Sequence, residues 1–126
     1  MLNTPKTDIL LVDDDDKNIF ALSAVLKSRG YHCVTAKSAL EGIRILKSRP
    51  EIGIILMDMM MPDMDGYQAI NAIRKINRLR HIPIVAVTAQ AMDGDREKCM
   101  AAGAADYLSK PVNIEDLFHT LSRHNG

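Results

Sequence analysis

Short apolar runs alternate with amphipathic stretches five times along this chain, and that alternation restricts the possible folds more than any other feature. The first run is Ile9-Leu10-Leu11-Val12, after which Ile19, Leu22, Val25 and Leu26 recur at helical spacing until Gly30, a natural helix stop. A mixed strand over 32–36 follows, then a helix marked by Leu40, Ile43 and Leu46 and ended by Pro50. Ile54-Ile55-Leu56-Met57 forms a third strand, and Tyr67, Ile70 and Ile73 mark a third helix. Ile84-Val85-Ala86-Val87 precedes a weaker Ala- and Met-rich helix up to Gly103. A short strand at Tyr107-Leu108 leads into a last helix carrying Ile114, Leu117, Phe118 and Leu121. Strict strand–helix alternation implies an α/β fold: a doubly wound, five-stranded parallel sheet with helices on both faces. Strands buried on both faces read as continuous apolar runs, so those at 9–12, 54–57 and 84–87 are expected at the centre and the other two at the edges. The common order for such a sheet is 2-1-3-4-5, with ligands bound beyond the carboxyl ends of strands one and three.

What ends each strand therefore matters. Strand one runs into Asp13 and Asp14, strand three into Asp58, strand four into Thr88, and strand five through Ser109 into Lys110. Two neighbouring strand ends supply three carboxylates, flanked by a hydroxyl and an ammonium. Two carboxylates about 4 Å apart repel by on the order of 1 kcal/mol in water and roughly 4 at an effective dielectric near 20. A divalent cation with oxygen ligands compensates, and Mg²⁺ typically takes one or two carboxylates, several waters and a phosphate. Such a site suits the spread charge of a transferring phosphoryl group, and a carboxylate can serve as its acceptor.

Composition excludes several other functions. The 126 residues suffice for one domain with a real core, 47% are hydrophobic and 25% charged, and the formal net charge is zero. No global field points to nucleic acid or an anionic membrane. Cys33 and Cys99 stand at no ligand-like spacing, and two free thiols suit a reducing cytoplasm. The N-terminal residues lack an apolar signal segment, and no run approaches membrane-spanning length. One cytoplasmic domain over 1–126, with a core from about 8 to 121, is expected.

The motifs ILLVDDDD (9–16), IILMDMMMPDMDG (54–66), IPIVAVTA (82–89) and AGAADYLSKP (102–111), in this order, make the chain resemble the receiver domains of two-component response regulators, over nearly its whole length. The resemblance implies the flavodoxin-like receiver fold and a role for each residue. Asp58 is the expected phosphoacceptor. Asp14 and Asp58 would bind Mg²⁺ directly, Asp13 through a metal-bound water, and Met60 through its backbone carbonyl. Thr88 would hydrogen-bond the phosphoryl group and move toward it, Ala89 would offer a backbone N–H, and Lys110 would pair with a phosphoryl oxygen. The Lys110–Pro111 peptide is expected to be cis, and Tyr107 matches an aromatic switch position that turns inward as Thr88 moves. The implied donor is a histidine kinase or a histidine phosphotransfer protein. The implied output is a partner protein meeting the face of the fourth helix, fifth strand and fifth helix, with no contact to nucleic acid or membrane by the domain itself.

Each residue also has a plainer reading. Asp15 or Asp16 can cap a helix, Asp58 can form a turn before Pro62, Thr88 suits a strand, Lys110 a surface, and Tyr107 a core. Methionines 57, 59, 60 and 61 read as adaptable packing, and the four histidines form no cluster. A partial calcium-loop pattern from Met61 lacks both end ligands, and an acidic loop after strand one would repel a flavin phosphate. Two other functions are a Mg²⁺-dependent phosphohydrolase with an aspartyl-phosphate intermediate and an interaction module with a silent site. The first expects a second aspartate where Met60 stands; the second expects a missing site residue, and none is missing. Met60 and Gln90, two residues past Asp58 and Thr88, are expected to tune phosphoryl lifetime. The chain ends just after the last helix, which suits a stand-alone regulator or a receiver excised from a larger protein; the wording of VAVTAQAM and REKCMAAGAADYLSKPV leans toward hybrid sensor kinases.

Overall fold

Five strands pair in parallel in the order β2-β1-β3-β4-β5. In chain order they are β1 (Asp8–Val12), β2 (Cys33–Ala36), β3 (Ile52–Asp58), β4 (Ile84–Thr88) and β5 (Asp106–Ser109). Between and after them run α1 (Asp16–Ser28), α2 (Ala39–Ser48), α3 (Gly66–Arg74), α4 (Asp95–Ala102) and α5 (Ile114–His124), with a 3-10 turn at Asn77–Leu79. The computed structural model describes residues 7–62, 64–89 and 94–124. Among these, no helix is long and apolar enough to cross a membrane.

Alternate residues of a strand point to opposite faces, and both faces here are covered, which is why the central strands are continuously apolar. Ile9, Leu11, Ile54, Leu56, Val85 and Val87 pack with Leu22 and Leu26 of α1 and Leu117 and Leu121 of α5. Leu10, Val12, Ile55, Met57, Ile84 and Ala86 pack on the other side with Ile43 and Leu46 of α2, Ile70 and Ile73 of α3, and Cys99 of α4. Full burial of each such Leu or Ile contributes on the order of 1.5–3 kcal/mol. The predicted central strands are the central ones, and the expected order is the observed one.

The helix ends follow local chemistry. The Asp15 side chain caps α1 by accepting the Lys17 N–H at 3.0 Å. Gly30, at φ +86°, lets the chain reverse so that the Gly30 and Tyr31 amides reach the carbonyls of Lys27 and Leu26. Ser38 caps α2, and Asp65 with Gln68 forms a reciprocal capping box on α3.

Four details differ from the sequence reading. Strand β2 begins at Cys33 rather than His32, and β3 extends from Ile52 to Asp58. Leu40 is 55% exposed; α2 turns Ala39, Gly42, Ile43 and Leu46 to the sheet instead. Small residues serve there because the helix lies close: a Cβ on Gly42 would stand 3.0 Å from Val12 Cγ2. Ile114, at the start of α5, is likewise exposed.

Candidate functional site

Strand β1 sits between β2 and β3, so its end and that of β3 lie side by side where the sheet order reverses. The Asp13 N–H still bonds the Ala36 carbonyl at 3.0 Å, which extends the ladder one residue past β1 and fixes where the side chain starts. That side chain is almost fully buried. Its Oδ1 accepts the Asp15 N–H at 2.9 Å, and its Oδ2 accepts the Asn18 amide and the Lys110 ammonium, the latter at 3.3 Å.

Asp58 is the last residue of β3 and is 3% exposed. Its Oδ1 accepts the Met60 N–H at 3.1 Å and lies 3.5 Å from Lys110 Nζ. The following turn is held by the Met59 N–H on the Val87 carbonyl at 3.0 Å and the Gly66 N–H on the Met59 carbonyl at 3.2 Å. One oxygen from each of Asp13, Asp14 and Asp58 can lie within 4.8 Å of the others; Asp14 is exposed while its two companions are buried.

Lys110 reaches this group because its N–H bonds the Thr88 carbonyl at 2.8 Å, placing it just beyond β5. The Lys110–Pro111 peptide is cis. The ammonium therefore stands between Asp13 and Asp58. Burial raises the Asp58 pKa, and Asp13 adds to the rise, against the opposing pull of the Met60 N–H and Lys110. Burial works against the Lys110 charge, but Asp58 and Asp13 outweigh it and push its pKa up. Among the described residues, three carboxylates facing one ammonium leave two negative charges unmatched. An all-oxygen donor set with that residual charge fits a hard divalent cation such as Mg²⁺.

Thr88 ends β4 opposite Ser109 of β5 and is buried, and Ala89 follows it at the surface. Met57, Met59 and Met61 are buried as packing residues, whereas Met60 is 51% exposed beside the site. Gln90 lies outside the described residues. Tyr107 belongs to the α4 side of the sheet, and its hydroxyl donates to Asp95 Oδ2 at 3.0 Å. Burial and the Asp95 carboxylate push its pKa up to about 12.

Sequence reasoning missed two residues. Asn18 orients Asp13 from the first turn of α1, and a polar residue facing back toward the acidic run was the available signal. Asp95 joins two tyrosines from separate elements, which no local pattern announces.

Comparison with known proteins agrees with this fold. The family model described as the response regulator receiver domain matches residues 9–122. The chain is 38% identical over 116 residues to the signal transduction histidine-protein kinase BarA of Shigella flexneri, covering 92% of the chain but 12% of that kinase. The receiver domain of sensor histidine kinase PA1611 from Pseudomonas aeruginosa PAO1, solved with a magnesium ion coordinated in its active-site cleft, superposes with a TM-score of 0.87 at 38% identity, covering 95% of this chain and 98% of that one. A co-crystal of the Saccharomyces cerevisiae histidine phosphotransfer protein Ypd1 with the receiver domain of Ssk1 gives a TM-score of 0.89 at 28% identity, covering 98% of this chain and 92% of that one.

Proposed function

The chain belongs to the response regulator receiver domain family, and from that premise we propose that Asp58 accepts a phosphoryl group from a phosphohistidine and thereby switches a partner-binding surface. The observation that carries this reading is the Lys110 ammonium held between the buried carboxylates of Asp13 and Asp58. An Asp58 carboxylate oxygen attacks phosphorus, the P–O bond forms as the P–N bond breaks, and the imidazole leaves with the electron pair. Lys110 sits 3.5 Å from the acceptor and can follow one phosphoryl oxygen as charge moves onto it. The Met60 N–H holds the attacking carboxylate in position. Thr88 and the Ala89 N–H, at the neighbouring strand end, serve the remaining oxygens.

Asp14, Asp58 and the Met60 carbonyl would hold Mg²⁺, with Asp13 acting through a metal-bound water. When bound, the ion supplies charge neutralisation to the transferring group. Phosphorylation draws Thr88 inward and Tyr107 follows, which biases α4, β5 and α5 toward a second arrangement read by a downstream protein. The donor is a histidine kinase or a histidine phosphotransfer protein. The domain spans 1–126 and works in the cytoplasm without touching nucleic acid or membrane. It acts as a signalling phosphoacceptor rather than an enzyme on an external substrate.

Incubating the chain with Mg²⁺ and acetyl phosphate and measuring intact mass tests the reading. A single stable phosphoryl adduct that disappears in Asp58→Asn supports it. Repeated turnover to free phosphate would point to a hydrolase, and an unmodified chain to a silent module. Apolar Met60 cannot orient an attacking water, so Met60→Asn or Met60→Glu should hasten adduct loss; an unchanged decay rate removes Met60 from this role.

A further inference from the structure

Helix α4 has a sparse apolar anchor. Among its residues Cys99 alone is fully buried, with Met100 and Ala102 only partly covered by the same cluster. Polar contacts at its two ends fix it instead. Behind its last turn, Arg74 of α3 donates from Nε and Nη2 to the Gly103 carbonyl at 3.1 and 2.8 Å. At its first residue, Asp95 accepts the Tyr67 hydroxyl of α3 on Oδ1 at 2.9 Å and the Tyr107 hydroxyl of β5 on Oδ2 at 3.0 Å. One half-buried carboxylate joins three elements.

We propose that Asp95 is the resting-state latch of α4: its carboxylate holds Tyr107 against the helix, and the switch operates by breaking that bond while Tyr67 keeps Asp95 in place. This rests on the reading of Asp58 as the phosphoacceptor. Tyr107 pairs with Ala86 and its neighbour Ser109 with Thr88, so the tyrosine lies one strand over from the residue that answers the phosphoryl group. Ile84 and Ala86 belong to the same packed cluster as Tyr107, and strand alternation puts Thr88 on that face too. Tyr107 cannot leave this position and keep its 3.0 Å bond to Asp95.

The second donor makes the release feasible. A carboxylate that lost its sole partner in a half-buried site would bear a large desolvation cost. Tyr67 stays bonded, so Asp95 gives up one charge-assisted hydrogen bond without becoming an orphan. The high pKa of Tyr107 keeps its hydroxyl a donor at all physiological pH. Asp95 is thus a positioning residue that sets the population of the resting arrangement and touches no reacting atom.

The probe is beryllofluoride, a phosphoryl mimic, titrated with Mg²⁺ into the full chain and followed by ¹⁹F NMR, with urea midpoints measured in parallel. Removing a bond made only in the resting state raises the competent fraction, so Tyr107→Phe and Asp95→Ala should each tighten apparent affinity by about three- to tenfold. The double variant should tighten no further than either single one. Tyr67→Phe should lower the urea midpoint without tightening affinity, an effect that separates latching from general support of α4. Unchanged or weaker beryllofluoride affinity in Tyr107→Phe, or additive gains in the double variant, overturns the latch while the phosphoacceptor reading stands. A wild-type chain that binds no beryllofluoride overturns both.

Discussion

Substituting Gly66 by alanine tests how tightly the start of α3 is pressed against the loop after β3. An added Cβ would stand 2.2 Å from Met59 Sδ and 2.7 Å from Met59 Cα. The thioether is a movable end and can swing aside; the Cα cannot. It is pinned by the Met59 N–H on the Val87 carbonyl and the Met59 carbonyl on the Gly66 N–H. Carbon atoms rest about 3.5–4.0 Å apart, so the loop and the helix start must separate by about 1 Å. Overpacking of this kind costs about 1–3 kcal/mol, offset by at most about 1 kcal/mol from alanine's better helix propensity. A net loss of about 1–2 kcal/mol lowers a urea midpoint by roughly 0.5–1 M at a typical slope near 2 kcal/mol/M. Asp58, the proposed acceptor, immediately precedes Met59, so it moves as well. A misplacement near 1 Å costs up to about a hundredfold in rate, and acetyl phosphate labelling should slow by about ten- to a hundredfold. A Gly66→Ala protein with the wild-type midpoint and labelling rate would refute the argument that this glycine is required for close approach.

Arg74 donates to the carbonyls of Leu79, Arg80, Ile82 and Gly103, so Arg74→Met should cost about 2–4 kcal/mol in urea unfolding. Arg74→Lys should recover little, because an ammonium cannot reproduce the fork. Asp65→Ala removes the capping box of α3 and should cost about 1 kcal/mol, read from the same assay. Burial opposes the Asp106 carboxylate, but the Tyr107 N–H, His124 and Arg123 outweigh it and hold its pKa below the usual carboxylate value. Its stabilisation is therefore complete above the unfolded value, about 3.9, and is lost as pH falls through the lower folded value. Asp106→Asn should cost about 1 kcal/mol at neutral pH, discounted for the half-exposed Arg123, and the gap to wild type should close in acid. Mg²⁺ at about 100 times its dissociation constant should add about 2.7 kcal/mol to wild-type stability, and Asp13→Asn should shrink that gain.

The strand order and the acidic cluster were legible because both depend on local pattern. Continuous apolar runs mark strands covered on both faces, and the residue after each run must sit at the sheet's carboxyl edge. Leu40 misled because three apolar residues at i, i+3 and i+6 do not say which side faces inward. The decisive residue was Gly42, whose lack of a side chain lets α2 approach Val12. Arg74 and Asp95 were invisible for a different reason. Each has a partner on another element, Gly103 lying 29 residues from Arg74 and Tyr67 28 residues from Asp95, and a charged residue at a helix end ordinarily faces solvent. Tyr67 was read as an apolar marker of α3, which its ring satisfies, but its hydroxyl carries a separate bond.

The Lys110–Asp13 pair joins positions 97 residues apart, which sets an order on the way the chain is made. All three carboxylates belong to β1, β3 and the turns after them, and so leave the ribosome well before their lysine. Until β5 docks on β4, the Lys110 ammonium that pairs with Asp13 and Asp58 is missing from the site, and closing so long a loop is entropically slow relative to local contacts. Cellular Mg²⁺ can occupy the acidic edge during that interval. The Mg²⁺ proposed for the folded domain would then also serve the nascent chain, as a temporary counter-charge that lets the first three strands settle before the last one arrives.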